Sequence, residues 1–547
     1  MSDQTQRAPD GAPVATPAVL DSAHIGDIKG AFGTIGQHEQ GRSGLRGRML
    51  AMLAVLGPGI IVMVGDNDAG GVATYSQAGQ NYGTSLLWVL VLLIPVLIVN
   101  QEMVIRLGAV TGVGHGKLIF ERFGKFWGAF SVCDLFILNF LTIVTEFIGV
   151  DLALGYFGVS RYVSVPIAAL LLVVVTASGS FRRWERFMFM FVFANLLVIP
   201  LLFLSHPAGG SVVRHTVVPG IAGGANSSSV LLIIAIVGTT VAPWQLFFQQ
   251  SNIIDKRITT RWINYERLDT VLGSFITVLG AGALVAICAA AFAGTPLAGN
   301  FTDAGGVAAG LRTYVGGGAG AMYAIILLNA SLIGAAAVTL ATSYAVGDTF
   351  GIRHSLHRGM REAKGFYASF IGMVVLAAGI VLIPGAPLGV ITTAVQALAG
   401  VLLPSASVFL LILCNDREVL GPWVNRAWLN ALAIVILGVL LMLSSILIVT
   451  TLFPQVDVPR LTLELAIVLS IGLIGFAIAI VVSQRRLDGA TRAGPQPPRE
   501  SWTMPQSALL GRPTLTLPVR LAMWVLRIYL VVAVLLLVIK AVELGTK

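Results

Sequence analysis

Residues 62–74, VMVGDNDAGGVAT, interrupt the first long apolar run of the chain. Two aspartates, Asp66 and Asp68, and the glycines Gly70 and Gly71 fall near the middle of a segment long enough to cross a membrane. A carboxylate and unpaired backbone groups are costly in lipid. The stretch therefore predicts that the first membrane helix is broken, and the break needs a functional reason.

The composition predicts an integral membrane protein. Of the 547 residues, 56% are hydrophobic and only 11% are charged, whereas soluble proteins carry roughly 25% charged residues. Long hydrophobic segments that recur to the end of the chain favour an all-α membrane protein over a β-barrel. The net charge of +9 does not indicate nucleic acid, because the basic residues lie in short clusters between apolar runs. We expect the lipid bilayer as a partner and no nucleic acid.

The apolar runs predict about twelve membrane helices. They lie at residues 50–79, 84–108, 127–157, 162–179, 186–205, 229–257, 263–294, 320–350, 365–385, 388–414, 428–452 and 460–483. A further run at 521–542 is either a thirteenth span or a helix at the membrane surface.

The loop charges predict the orientation. Arginines and lysines cluster in alternate loops, as at Arg182 and Arg183, while the opposite loops hold isolated ones such as Arg161. The positive-inside rule then places the N-terminus in the cytoplasm of a multi-pass protein of the cell membrane. We expect residues 1–48 to form a disordered cytoplasmic tail. We expect residues 49–484 to form the transmembrane domain, and residues 485–547 to form a cytoplasmic linker with a C-terminal hydrophobic helix.

A second interruption, IAIVGTTVAPWQLFFQQSN at residues 234–252, falls in the sixth span. Pro243 removes a backbone donor in mid-span and Gly238 precedes it, so this helix should also unwind. Breaks at corresponding positions of two five-helix halves are typical of inverted-repeat transporters with a site at the midplane. We predict a LeuT-like inverted repeat with broken helices 1 and 6. Its halves are residues 49–205 and 226–414, followed by two additional helices at 428–484.

Over residues 50–480 the chain resembles the Nramp family of divalent-metal transporters. The sequence LGPGII…DAGGVATYSQAGQNYGTSLLW, within residues 56–88, is similar to the family's first span, whose hallmark Asp-Pro-Gly-Asn reads Asp68-Ala69-Gly70-Gly71 here. The family's Met-Pro-His in span six reads Ala242-Pro243-Trp244. Gln396 stands eight residues before Pro404, like a metal-site glutamine of some members.

The departures from these motifs resemble the Nramp-related magnesium transporters. Gly71, Ala242 and Trp244 stand where the family has its ligating asparagine, its ligating methionine and a histidine. This resemblance implies Mg²⁺ as substrate, with Mn²⁺ tolerated and without proton coupling. The chemistry agrees, because a methionine thioether favours softer metals, whereas Mg²⁺ takes oxygen ligands and keeps part of its water shell.

These arguments give a candidate site. Asp68 supplies the negative charge, and the backbone carbonyls that the two breaks leave without helical partners supply oxygen ligands. Gly71 and Ala242 are small and leave room for the waters of the ion. Gln245 and Gln396 bind the ion or its waters. Four further residues are possible pathway residues: Asp66, Glu146, Trp244 and Gln249. Asp66 is either an acid of the access path or a structural cap, and Gln249 either lines the path or packs between helices. Trp244 is expected to pack, because indole does not carry protons at neutral pH.

The leading hypothesis is a secondary transporter that imports Mg²⁺, and also Mn²⁺, by alternating access. The nearest alternative is a proton-coupled Mn²⁺/Fe²⁺ transporter. A Na⁺-coupled amino-acid transporter is disfavoured, because Asp68 would repel the substrate carboxylate. A channel and a membrane enzyme remain as other classes, but no catalytic motif supports an enzyme. We expect no cofactor and a monomer.

Overall fold

Most of the chain is helical. The computed structural model describes residues 21–37, 39, 44–385, 388–453, 455–487 and 502–506, with 499, 510 and short pieces between 520 and 535. The first ten helices are α1 (Gly44–Val55), α2 (Pro58–Gly65), α3 (Ala69–Tyr82), α4 (Leu87–Thr111), α5 (His115–Phe123), α6 (Lys125–Tyr156), α7 (Arg161–Thr176), α8 (Phe181–Ala194), α9 (Val198–Ser205) and α10 (Gly209–Val217).

The remaining helices continue the bundle. They are α11 (Ser227–Thr240), α12 (Pro243–Asp255), α13 (Ile263–Phe292), α14 (Ala304–Tyr314), α15 (Gly317–Phe350), α16 (Lys364–Val381), α17 (Leu388–Leu413), α18 (Arg417–Leu420), α19 (Ala427–Leu452) and α20 (Val458–Leu487).

The described residues form an all-helical, multi-span membrane protein. Nine helices are long and apolar enough to cross a bilayer, and two bent pairs raise the number of candidate spans to eleven. The prediction of about twelve spans is thus confirmed only in part. The fourth predicted span corresponds to α7, whose 16 residues are fewer than the roughly 20 that a crossing needs. The predicted run at 521–542 lies mostly outside the described residues.

Both predicted breaks are present. Residues 66–68 separate α2 from α3, and Val241 and Ala242 separate α11 from α12. α3 packs against α11, while α2 packs against α12. The two broken helices therefore run in opposite directions past each other, with both breaks at the level where they cross. The exact bounds of the two halves stay a prediction.

Helix α13 holds both parts of the first broken helix. Its Thr277 hydroxyl donates to the Met63 carbonyl at the end of α2, and its Thr277 carbonyl accepts from Asn67 Nδ2 at 3.1 Å. On α3, a Cβ at Gly79 would lie 2.3 Å from the Val285 carbonyl oxygen. The absence of a side chain at Gly79 thus sets how closely α3 approaches α13, and α13 positions the break.

The N-terminal segment differs from the expected disorder over residues 21–37. A 3-10 turn, Ser22–His24, precedes an antiparallel hairpin of β1 (Ile28–Gly30) and β2 (Gly33–Ile35). Ile28 and Ile35 are buried, and Arg182 Nε on α8 donates to the Gly30 carbonyl at 3.0 Å. Strands of three residues are too short to show a period in the sequence, and their stabilising partners lie about 150 residues away. The prediction of disorder therefore does not hold for these residues, and residues 1–20 lie outside the described part.

Candidate ion site at the two helix breaks

Asp66 is the buried carboxylate that joins the two breaks. It follows the last residue of α2 and is 0% exposed. Its Oδ1 accepts a hydrogen bond from Nε2 of Gln245, on the first turn of α12. Its Oδ2 has no partner among the described residues. A buried oxygen without a donor is costly, so this atom is available to a cation.

Gln245 extends the polar surface around Asp66. Its Nε2 also lies 3.3 Å from the Thr240 carbonyl at the end of α11, and its Oε1 accepts from Gln101 Nε2 on α4 at 3.4 Å. The Thr240 hydroxyl in turn bonds the Tyr75 hydroxyl on α3 at 2.8 Å. Residues from both broken helices and from α4 therefore present oxygen atoms at the same level of the bundle.

Asp68 begins α3 on the other side of the break. Its Oδ1 accepts from the Gly71 amide at 2.7 Å, which caps the helix. Glu146 on α6 accepts from the Ala69 amide at 3.1 Å and lies beside Asp68. Asp68 is also near enough to Asp66 for the two carboxylates to interact electrostatically.

Glycines make the space that these carboxyl groups occupy. A Cβ at Gly334 on α15 would lie 2.7 Å from the Glu146 carboxyl group and 2.9 Å from Asp68 Cβ. Any side chain at this position would push the two acids apart. Gly71 has a comparable role, because a Cβ there would approach the Asp66 carbonyl oxygen to 3.0 Å.

Gln396, on α17, packs against the start of α3 and bounds the site on that side. A Cβ at Gly70 would overlap its amide, which shows that Gln396 rests directly on α3. The same side chain lines a narrow cavity of about 40 Å³ together with Ala69, Thr74 and Asp303. A cavity of this size holds a few waters at most. It leads from the break toward α14.

The match to a protein family decides the classification. The model of the family described as Nramp, natural resistance-associated macrophage protein-like, matches residues 59–450. The chain belongs to the Nramp family. Both breaks and all the site residues named above fall within the matched region.

Curated relatives of the Nramp type cover most of the chain. One is a protein of Verminephrobacter eiseniae named divalent metal cation transporter MntH, 27% identical over 434 residues, which are 75% of this chain and 92% of that protein. A protein of the same name from Ralstonia nicotianae is 29% identical over 406 residues, 70% of this chain and 87% of the relative. These relatives are transporters and not enzymes.

A solved structure shows the same fold. The manganese transporter of Eremococcus coleocola, crystallised with an aromatic bis-isothiourea compound, superposes with a TM-score of 0.61. It is 20% identical, and the match covers 82% of this chain and 98% of that one. The likeness shows that the two chains share one fold.

At the second break, this Nramp protein has two apolar residues, Ala242 and Trp244. Ala242 is buried and precedes the first residue of α12, and its side chain has no donor atom. The Trp244 ring would lie 3.5 Å from a Cβ at Gly65 and packs beside Phe248. Trp244 therefore packs beside the first break.

Gln249 points away from the breaks. Its Nε2 donates to the Thr270 hydroxyl at 2.7 Å and lies 3.4 Å from Glu266, both on α13. Gln249 and Gln245 thus contact different helices, although the two residues are one helical turn apart. Of the two predicted roles, the contacts are those of packing between α12 and α13.

Sequence analysis missed a buried ionic cluster below the first break. Lys256 donates to Glu185 at 2.6 Å, and Asp269 accepts from the Gly57 and Gly59 amides at 3.0 and 2.8 Å, which caps α2. Glu266 and Asp269 stand one turn apart in an apolar span, which was a usable signal. The cluster fixes the start of the first broken helix.

The site offers both anionic and neutral oxygen ligands for a metal ion. Asp66 and Asp68 are anionic ligands when deprotonated, and the amide oxygens and the backbone carbonyls at the helix ends are neutral ligands. Within the described residues, no group of three or more histidine, cysteine or acidic side chains forms a closed metal site. An open site that combines few protein ligands with retained waters suits a transported ion better than a structural one.

Proposed function

We propose that the protein transports a divalent cation through the two helix breaks, with Mg²⁺ as the main substrate and Mn²⁺ tolerated. The observation that carries this proposal is the unpartnered Asp66 oxygen at the crossing of the breaks, facing α12 beside Asp68. The curated relatives are named as divalent metal cation transporters, which supports the general class.

The choice of Mg²⁺ follows from the donor atoms. Asp66 and Asp68 contribute carboxylate oxygen atoms, whereas Ala242 contributes no side-chain ligand. Softer metals gain from thioether or imidazole ligands, and Mg²⁺ does not.

Uptake without protons is energetically sufficient. A divalent cation that enters a compartment 100 mV negative gains about 4.6 kcal/mol. That free energy corresponds to an accumulation of more than a thousandfold at equilibrium. In this account the carboxylates bind the ion and alternating access moves it, with no proton carried along.

The second candidate function is proton-coupled transport of Mn²⁺. The solved relative is named as a manganese transporter, and Asp68 and Glu146 lie side by side at Gly334, where two acids can share a proton. If a cation that binds Asp68 displaces this proton in every cycle to the side on which the cation is released, transport of the cation is coupled to transport of the proton.

Flux into proteoliposomes separates the two candidates. The purified protein is reconstituted with a Mg²⁺-sensitive or Mn²⁺-sensitive dye and a pH dye inside, under an inside-negative potential. Saturable Mg²⁺ entry without acidification supports the first candidate. Mn²⁺ entry with acidification, and no Mg²⁺ entry, supports the second.

A change at Ala242 tests the donor-atom argument. Ala242→Met restores a thioether at the second break and should raise the Mn²⁺-to-Mg²⁺ transport ratio roughly tenfold, the effect of one added ligand contact. The same change at the exposed Ala129 on α6 is the control and should leave the ratio unchanged. An unchanged ratio in Ala242→Met would place the ion elsewhere.

A further inference from the structure

A second cavity, of about 300 Å³, lies beside α4 and is lined by residues other than those of the ion site. Its charged lining consists of Glu102 on α4 and four arginines, Arg106, Arg267, Arg426 and Arg499. The four arginines come from α4, from α13, from the residue before α19 and from the C-terminal linker. A cavity of this volume is at the lower end of the range of small-ligand sites.

The cavity has more positive charge than its own acid neutralises. Glu102 is already shared, because its oxygens contact Arg267 at 2.6 Å and Arg106 at 3.1 Å. Four positive charges against one negative charge leave a net charge of +3 in the lining. Among the residues that the structure describes, no carboxylate forms a salt bridge with Arg426 or Arg499.

Two of the arginines keep N–H groups that no described residue accepts. Arg106 is 2% exposed, and its guanidinium is held by the Trp423 carbonyl at 3.0 Å, yet its Nε has no partner in the described structure. The same is true of Arg267 Nε. Burial and the neighbouring arginines Arg267, Arg426 and Arg106 lower the pKa of Arg499. Positive groups held together without a counter-charge need an anion.

The start of α19 adds to the positive electrostatic potential of the cavity. Arg426 precedes the first residue of this 26-residue helix and gives it no side-chain cap, so no side chain of that residue pairs with the first amides of α19. Trp428 and Leu429, on that first turn, line the cavity. A helix N-terminus attracts anions through its free amides and its dipole, and phosphate is the common ligand there.

The surroundings of the cavity are those of a membrane surface. Trp428 is 62% exposed, and the neighbouring α13 residues Leu268 and Leu272 are 49% and 43% exposed. Tryptophan beside arginine at the end of apolar helices is typical of the headgroup level of a bilayer. The positive-inside rule assigns this end to the cytoplasm, whose membrane leaflet carries anionic lipids.

We propose that this cavity binds the phosphate group of an anionic phospholipid. The phosphate lies among Arg267, Arg426 and Arg499 at the start of α19, and the acyl chains extend along the exposed leucines of α13. Guanidinium groups suit this ligand, because they pair with phosphate oxygens in a bidentate manner. The bound lipid joins α4, α13 and α19 at their common end.

Lipid binding to the full-length protein tests the proposal. Protein purified in detergent is titrated with phosphatidylglycerol or phosphatidylcholine, and the lipid-bound fraction is measured by native mass spectrometry. The test variant Arg267→Gln/Arg426→Gln changes two arginines of the cavity. The control variant Arg353→Gln/Arg361→Gln removes the same charge from exposed positions in the loop after α15.

We expect the wild type and the control variant to prefer phosphatidylglycerol. The test variant should bind it about 100-fold more weakly, a factor of roughly ten for each arginine–phosphate contact. Equal binding by the test and control variants overturns the proposal. Unchanged melting temperatures in phosphatidylcholine show that the substitutions leave the fold intact.

A second arm separates lipid from soluble phosphate. Inorganic phosphate is added at constant ionic strength to protein in phosphatidylcholine nanodiscs, and the melting temperature is measured. Stabilisation by phosphate that the test variant loses, without any preference for phosphatidylglycerol, overturns the lipid assignment in favour of a soluble phosphate compound. None of these measurements involves transport, so they do not depend on which ion the protein carries.

Discussion

Removal of the buried charge of Lys256 should strongly destabilise the protein. The side chain is 0% exposed, and its ammonium group donates to the Val55 and Leu56 carbonyls at 2.7 and 2.8 Å and to Glu185 at 2.6 Å. Lys256→Met leaves Glu185 ionised and buried without its counter-charge. Loss of one partner of a buried ion pair costs about 3–5 kcal/mol, so the free energy of unfolding should fall by that amount.

A second substitution separates the charge from the packing. Lys256→Met/Glu185→Leu removes both charges and keeps similar volumes, and apolar replacement of a whole pair is often nearly neutral. We therefore expect the double variant to regain at least half of the loss, as measured by chemical unfolding in mixed micelles. Lys364→Met, at an exposed position, is the control. A loss below about 1 kcal/mol for Lys256→Met, or a double variant less stable than the single one, would refute the reasoning.

Two further predictions concern stability. Burial lowers the pKa of His354, but Asp348 at 3.0 Å outweighs this effect and raises the pKa from 6.5 to about 9. The imidazolium contribution is complete below pH 6.5 and disappears as the pH rises through 9. His354→Gln should therefore lower the melting temperature more at pH 6 than at pH 10, and an equal loss at both would contradict the ion pair. Gly79→Ala places a Cβ 2.3 Å from the Val285 carbonyl oxygen and should cost about 1–3 kcal/mol, whereas Gly155→Ala meets no atom within 4 Å and should not destabilise. Thermal unfolding of the two variants tests this prediction, and equal stability would contradict the close packing of α3 against α13.

The breaks of the two helices could be predicted because their signals are local. Asp66, Asp68 and Gly70 interrupt one apolar run, and Pro243 interrupts another, so each break follows from residues within one turn of it. The number of spans was less certain, because α7 has only 16 residues. Length alone does not determine whether such a helix crosses the bilayer.

The partners within the site could not be predicted, because they depend on how the broken helices cross. Asp66 and Gln245 are 179 residues apart, and only the packing of α2 against α12 brings them together. Sequence analysis placed Asp66 on the path and Asp68 at the ion. The structure instead gives Asp66 the unpartnered oxygen, whereas Asp68 caps α3 and approaches Glu146. The N-terminal hairpin was missed partly for the same reason, since Arg182 and Arg186 of the distant helix α8 donate to its Gly30 and Ala31 carbonyls.

The most direct test of the central claim compares two acids of the membrane helices in one flux assay. Asp68→Asn removes a charge at the first break, and Asp134→Asn makes the same change on α6, about 18 Å along that helix from Glu146, where Asp134 accepts from Ser405 at 2.9 Å. Proteoliposomes under an inside-negative potential are supplied with Mg²⁺ and, separately, with Mn²⁺. We predict that the wild type and Asp134→Asn carry the ion and that flux through Asp68→Asn falls at least about tenfold, the loss of one charged ligand. Flux through Asp68→Asn equal to that of Asp134→Asn would contradict an ion site at the helix breaks.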